Sequence, residues 1–157
     1  MLQTLVVAVS GSEGSIKAAK YGIALAKHYQ CRLIAVYVVD TATLKELLLS
    51  KIFVEEESAD YEKSLEANGD RYLNYVEELA RTKGVSIEKI LRKGAISTEI
   101  VEAAEEAGAS LILLGGFEDR GVLRDAVSRQ QREILKTARC SVLMVKEPDI
   151  DTIYKKL

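Results

Sequence analysis

The stretch Leu111–Lys146 constrains the fold more than any other part of this sequence. An apolar run at 111–114 ends at Gly115 and Gly116, and a polar loop, a helical pattern and a second apolar run at 142–145 follow. This order of strand, glycine loop, helix and strand forms a unit whose loop and helix N-terminus can bind phosphate. The stretch therefore predicts a βαβ unit with a candidate anion site at its glycine loop.

The rest of the chain repeats the same alternation. Leu2–Val9 and Leu33–Val39 are apolar runs rich in valine, which is typical of parallel strands buried on both faces. Between them, apolar residues recur at helical spacing. Five such units predict an α/β fold, a doubly wound five-stranded parallel sheet with helices on both faces. The predicted strands are 2–9, 33–39, 85–92 (at a sheet edge), 111–114 and 142–145, and the predicted helices are 16–29, 58–83, 97–107 and 122–137.

Two segments are less clear. Residues 41–57 contain Leu44, Leu47, Leu48 and Ile52, which fit either a short amphipathic helix or a mobile flap. Residues 147–157 follow the last strand, and we expect a tail that is exposed or docked on a partner. The predicted organisation is one domain over 1–146 and a C-terminal tail over 147–157.

Composition excludes several classes of function. The 157 residues carry a formal net charge of -2, so there is no overall basic field to attract nucleic acid. No apolar run approaches the roughly 18 residues of a membrane span. The N-terminus enters a strand at once, without the features of a signal peptide. We therefore expect a cytoplasmic protein that binds neither nucleic acid nor membranes.

Catalytic and metal-binding patterns are missing. The sequence has a single histidine, His28, and two isolated cysteines, Cys31 and Cys140, an inventory that argues against a cysteine–histidine dyad or a histidine-rich zinc site. No Gly-x4-Gly-Lys-Ser/Thr phosphate loop is present. The sequence thus predicts no catalytic residue, no metal ligand and no enzyme activity.

Two loops are the candidates for ligand binding. Ser10–Ser15 follows the first strand and Gly115–Gly121 follows the fourth, and both have glycines at a strand-to-helix turn. On a doubly wound sheet, ligands bind outside the carboxyl ends of the strands where the strand order reverses. The backbone N–H groups of both loops would then face an anion.

Over about 2–146 the chain resembles the universal stress protein family. The resemblance is carried by VAVSGSEGSIKAAKYGIALAK at the start, VYVVD before residue 41, GASLILLGG, and ILKTARCSVLMVK. It implies strand order 3-2-1-4-5, a role in regulation or stress response, and a homodimer paired through the fifth strands. The fifth strand is short and apolar and is expected at a sheet edge, where unpaired backbone groups favour pairing with another chain. The candidate binding residues are Ser10, Gly11, Ser12, Val39, Gly115, Gly116, Ser128 and Arg129.

The sequence departs from the signature of the family's ATP-binding branch, which is Gly, two residues, Gly, nine residues, Gly, then Ser or Thr. Aligned from Gly115, the later positions fall on Glu118, Ser128 and Arg129. The family's usual acidic residue at the end of the first strand is Ser10 here. These departures predict weak or absent ATP binding. The sequence leaves the cofactor unknown: ATP and AMP are candidates, but the motif does not favour them. Other candidate partners are a small anionic ligand and an unknown protein.

A second interpretation uses the first loop. Ser10-Gly11-Ser12-Glu13-Gly14-Ser15 resembles the S-G-G-x-D-S loop of ATP pyrophosphatases, which binds pyrophosphate through backbone N–H groups and hydroxyls. Ser12 replaces the second glycine and Gly14 the aspartate. This six-residue match supports the alternative hypothesis of a nucleotide sensor or an ATP-dependent enzyme.

Overall fold

A computed structural model describes residues 1–116 and 123–157 of the chain, with backbone only for 123–128. In chain order its elements are β1 (Thr4–Val9), α1 (Glu13–Tyr29), β2 (Arg32–Asp40), α2 (Thr41–Leu49), α3 (Glu55–Arg81), β3 (Ile87–Gly94), α4 (Ile96–Glu106), β4 (Leu111–Gly115), α5 (Leu123–Thr137), β5 (Ser141–Val145) and α6 (Ile150–Lys155).

The sheet has the predicted topology. Its five strands are all parallel and lie in the order β3-β2-β1-β4-β5. The order reverses between β1 and β4, where Leu5 pairs with Leu111 and Val7 with Leu113. The predicted fold class and strand order are confirmed. The crevice expected from this topology is the region outside the carboxyl ends of β1 and β4.

Helices cover both faces because consecutive side chains of each buried strand point to opposite sides. Leu5 and Val7 belong to a core shared with α1 and α3, while Val6 belongs to a second core shared with α4 and Ile134 of α5. All three side chains are fully buried. Apolar runs without polar alternation therefore match strands that have helices on both sides.

Two sequence expectations are settled by tertiary packing. Residues 41–49 form α2, which is anchored by the buried Leu44. The C-terminal segment, which we expected to be a tail that is exposed or docked on a partner, instead packs on its own domain through one buried side chain, although most of its other residues are exposed. It forms α6, which packs against α1, with Ile150 only 1% exposed and the Asp151 carboxylate 2.7 Å from Lys20 Nζ.

The length and polarity of the helices bear on membrane association. Within the described part of the chain, no helix is both long and apolar enough to cross a membrane. The longest, α3, has acidic residues in its first turn and polar residues along its exposed side.

Candidate functional site

Three serine hydroxyls hold the loop after β1 in one conformation. The Oγ atoms of Ser10 and Ser12 are hydrogen-bonded at 2.9 Å. The buried Ser15 accepts a hydrogen bond from the Ser10 N–H at 3.0 Å, and its hydroxyl donates to the Ser10 carbonyl at 2.7 Å. These hydroxyls therefore satisfy one another and the local backbone, which stabilises this conformation of the loop.

The N-terminus of α1 faces the same crevice. Ser12 is its N-cap, and its Oγ accepts a hydrogen bond from the Ser15 N–H at 3.1 Å. The N–H groups of Glu13 and Gly14, in the first turn, have no acceptor within the helix. Together with the helix dipole they favour binding of an anion. The negatively charged Glu13 carboxylate lies in the same turn and competes with an anionic ligand for the positive end of the dipole.

The two glycine loops touch through backbone atoms. A Cβ added to Gly115 would lie 2.5 Å from the Gly14 carbonyl carbon and 2.8 Å from the Ser15 nitrogen. A Cβ on Gly116 would lie 2.8 Å from the Val145 carbonyl oxygen. No real side chain tolerates such distances, so glycine at both positions lets the end of β4 approach α1 on one side and β5 on the other.

Gln131 of α5 supports this junction from the opposite face of the sheet. Its Nε2 donates a hydrogen bond to the Gly115 carbonyl at 2.7 Å. The amide is buried, and its Oε1 has no hydrogen-bond partner in the described part of the chain. Sequence analysis missed this residue, although its spacing from Ile134 and Ala138 places it on the buried stripe of α5.

Aromatic rings from α3 and β2 form a wall beside the first loop. The Tyr72 ring lies against Gly11, where an added Cβ would be 3.1 Å from the Tyr72 hydroxyl. Tyr72 stacks on Tyr37 with ring centroids 6.4 Å apart, and the Arg71 guanidinium lies 5.6 Å from the Tyr72 centroid. Burial raises the pKa of Tyr37, so its hydroxyl stays neutral.

The remaining predicted site residues have different surroundings. The Val39 side chain is fully buried in the core, so only its backbone at the end of β2 is available to a ligand. Arg129 is exposed on α5. The Ser128 side chain, and Glu118 in the second loop, lie outside the described residues. Ser10, Gly11 and Ser12 lie in the loop after β1, and Gly115 and Gly116 lie at the end of β4, which contacts that loop through Gly14 and Ser15. Ligand binding by these five residues stays a prediction.

Polar groups near the crevice are not arranged as a metal centre. Asp40, at the end of β2, caps α2 by accepting hydrogen bonds from the N–H and hydroxyl of Thr43, at 3.0 and 2.7 Å. In the part of the chain that the structure describes, no group of histidine, cysteine or carboxylate side chains could hold a metal ion. A cavity of about 370 Å³ lies elsewhere, between α4 and the start of β5, and includes Cys140.

Comparisons with known proteins identify the family of this chain. The model of the universal stress protein family matches residues 1–146. The chain belongs to the universal stress protein family. It is 31% identical over 155 residues to the universal stress protein MJ0531 of Methanocaldococcus jannaschii, a match that covers 94% of this chain and 84% of the relative.

Solved structures of universal stress proteins share the fold. A family member from Burkholderia pseudomallei is 26% identical, with a TM-score of 0.70, covering 92% of this chain and 96% of that one. A universal stress protein family protein of Arabidopsis thaliana, solved with AMP bound, has a TM-score of 0.66 at 16% identity, covering 96% of this chain and 95% of that one. The second likeness concerns the fold alone.

Proposed function

We propose that this universal stress protein is a regulatory binding module, not an enzyme, whose crevice accepts a small anionic or nucleotide ligand and binds ATP weakly or not at all. The observation that carries the proposal is the direct contact of Gly14 with Gly115, which places the N-terminus of α1 beside the end of β4. The AMP bound to the Arabidopsis protein supports a nucleotide-type ligand on this fold. We also propose that the protein is cytoplasmic.

Two features are unfavourable for ATP binding. The ATP-binding signature is replaced by Glu118, Ser128 and Arg129 at three of its four positions. The exposed Glu13 at the start of α1 adds a negative charge where a phosphate would approach. Lys17 lies 3.9 Å from Glu13, an exposed pair that offsets little of this repulsion.

Titration calorimetry with ATP and AMP, with and without magnesium, tests the proposal. We expect an ATP dissociation constant weaker than micromolar. Glu13→Gln should increase the affinity for either nucleotide because it removes the competing carboxylate. Arg139→Ala is a control on a distant exposed cation that pairs with Glu105.

Tight ATP binding, at micromolar dissociation constant or below, would contradict the proposed weak site. In that case Ser12→Ala and Arg129→Ala should each weaken binding, which would assign the phosphates to the first loop and to α5. Magnesium-dependent ATP turnover by the pure protein, lost in Ser12→Ala, would instead support the ATP pyrophosphatase-like alternative.

We further propose a homodimer that pairs through β5. Within the described sheet, β5 is an edge strand whose only neighbour is β4, and it is short and apolar. An edge of this kind presents unpaired backbone groups that a second copy can use. Sedimentation equilibrium should show dimers at micromolar concentration, and monomers alone would refute the proposal.

A further inference from the structure

The segment 41–67, which we name the α2–α3 arm, projects beyond the sheet. Gly69 packs against Tyr37 of β2, three residues before that strand ends. The part of α3 that precedes Gly69, residues 55–68, spans about 21 Å at the helical rise, whereas the strand extends only about 10 Å beyond Tyr37. The start of α3 and the end of α2 therefore lie outside the carboxyl edge of the sheet.

The tip of the arm exposes a group of apolar side chains. Leu49, Ile52 and Val54 lie within six residues and are 74%, 65% and 59% exposed. Single exposed apolar residues are ordinary, but a group of them marks an interaction surface.

This tip has a defined backbone. The Ile52 N–H donates to the Leu47 carbonyl at 3.0 Å, and the Ser58 N–H donates to the Val54 carbonyl at 3.0 Å. Lys51 adopts a left-handed conformation with φ of 59°. The Phe53 ring packs against Tyr61 at a centroid distance of 5.8 Å. The apolar side chains are thus presented by an ordered turn between two helices.

Acidic side chains adjoin the apolar tip. Glu55, Glu56, Glu57 and Asp60 are exposed, and none of them forms an ion pair with another described residue. The three glutamates stabilise the first turn of α3 through its dipole, but Asp60 lies beyond that turn. A surface that combines exposed apolar and unpaired acidic groups complements a ligand that is both apolar and basic.

We propose that the α2–α3 arm docks a basic amphipathic helix of another protein. A second copy does not fit as well, because two such arms face to face would bring like charges together. An anionic membrane surface would repel the same carboxylates. The C-terminal segment of this chain already packs on α1. The proposal does not depend on which ligand occupies the crevice.

A fluorescein-labelled synthetic helix with leucines on one face and lysines on the other is the probe. Anisotropy titration with the full chain should show binding that weakens with salt, and the same helix with glutamate for lysine should not bind. The double variant Leu49→Ser/Ile52→Ser should weaken binding about tenfold or more. The triple variant Glu55→Gln/Glu56→Gln/Glu57→Gln should weaken it and flatten its salt dependence.

Leu135→Ser is the matched control, since Leu135 is a half-exposed leucine on α5, away from the arm. It should leave binding unchanged. Unaltered urea midpoints would show that the arm variants remain folded. The proposal would be overturned if the wild type did not bind the helix, or if both arm variants bound it as well as the wild type does. It would also be overturned if Leu135→Ser weakened binding as much as the arm variants do. Self-association that disappears in Leu49→Ser/Ile52→Ser would overturn it in favour of a second copy.

Discussion

The Cα of Gly115 faces the Gly14 carbonyl so closely that a methyl group on Gly115 would lie 2.5 Å from the carbonyl carbon and 2.7 Å from its oxygen. Neither atom belongs to a flexible side chain, so the clash cannot be relieved by a rotamer change. The end of β4 and the start of α1 therefore come so close together that only glycine fits at position 115.

Gly115→Ala should destabilise the protein by about 1–3 kcal/mol or more, as expected for overpacking against backbone. Gly14→Ala is the matched comparison, because its added Cβ would meet the Gly116 oxygen at 3.2 Å, a contact that a small shift relieves. Gly14 also lies in the first turn of α1, where alanine favours the helix. Urea denaturation of both variants measures the difference, and equal stability for Gly115→Ala and the wild type would show that the loops separate.

Ser12→Ala should lower the free energy of unfolding by about 1 kcal/mol, because it removes the N-cap of α1 and the hydroxyl bonded to Ser10. Ser12→Asp keeps a capping oxygen and should recover most of the loss. Urea midpoints at neutral pH give the comparison, with the exposed Ser64→Ala on α3 as a control that should change little. If Ser12→Asp is as unstable as Ser12→Ala, capping does not explain the effect.

Ile150→Ala should cost about 2–5 kcal/mol, since a fully buried isoleucine leaves a cavity between α6 and the domain. Ile153 lies on the same helix and is 37% exposed, so Ile153→Ala should cost much less. Equilibrium unfolding in urea measures both variants. Similar small losses for the two would mean that α6 is not docked in solution.

The reactivity of Cys140 should depend on pH in a way set by its surroundings. Burial, chiefly, raises the pKa of this thiol above its ordinary 9.0, and the negative charge of Glu105 acts in the same direction. The neutral thiol is therefore favoured at neutral pH, and the reactive thiolate becomes the main form only above pH 9.0. In a Cys31→Ser variant, iodoacetamide alkylation should be slow at neutral pH and should continue to accelerate above pH 9.0.

The raised pKa of Cys140 also makes the free energy of unfolding depend on pH. A group whose pKa is raised by folding holds its proton more tightly in the folded state, so its contribution is present below the unfolded pKa and is lost as pH rises through the folded pKa. The free energy of unfolding should therefore decrease above pH 9.0 more in the Cys31→Ser protein than in Cys31→Ser/Cys140→Ser. Identical curves for the two proteins would contradict the raised pKa.

Local pattern was sufficient for the regular elements. Valine-rich runs without polar alternation indicated buried parallel strands, and the structure confirms β1 and β2 in these places. The predicted start of α3 at Ser58 was three residues late, because Val54 has no capping side chain to mark the true boundary before Glu55. The expectation of a tail over 147–157 missed α6 for a different reason: this helix packs against α1, which is far away in the sequence.

The sequence by itself determined the alternation of strands and helices, the two glycine loops and the serines between β1 and α1, because spacing and turn chemistry are local properties. Only the tertiary structure decided that Gly14 touches Gly115, that Gln131 holds the Gly115 carbonyl, that Tyr72 covers Gly11 and that Ile150 is buried. Each of these contacts joins segments that are distant along the chain. Their distances depend on how helices and strands pack on the completed sheet, which no local pattern encodes.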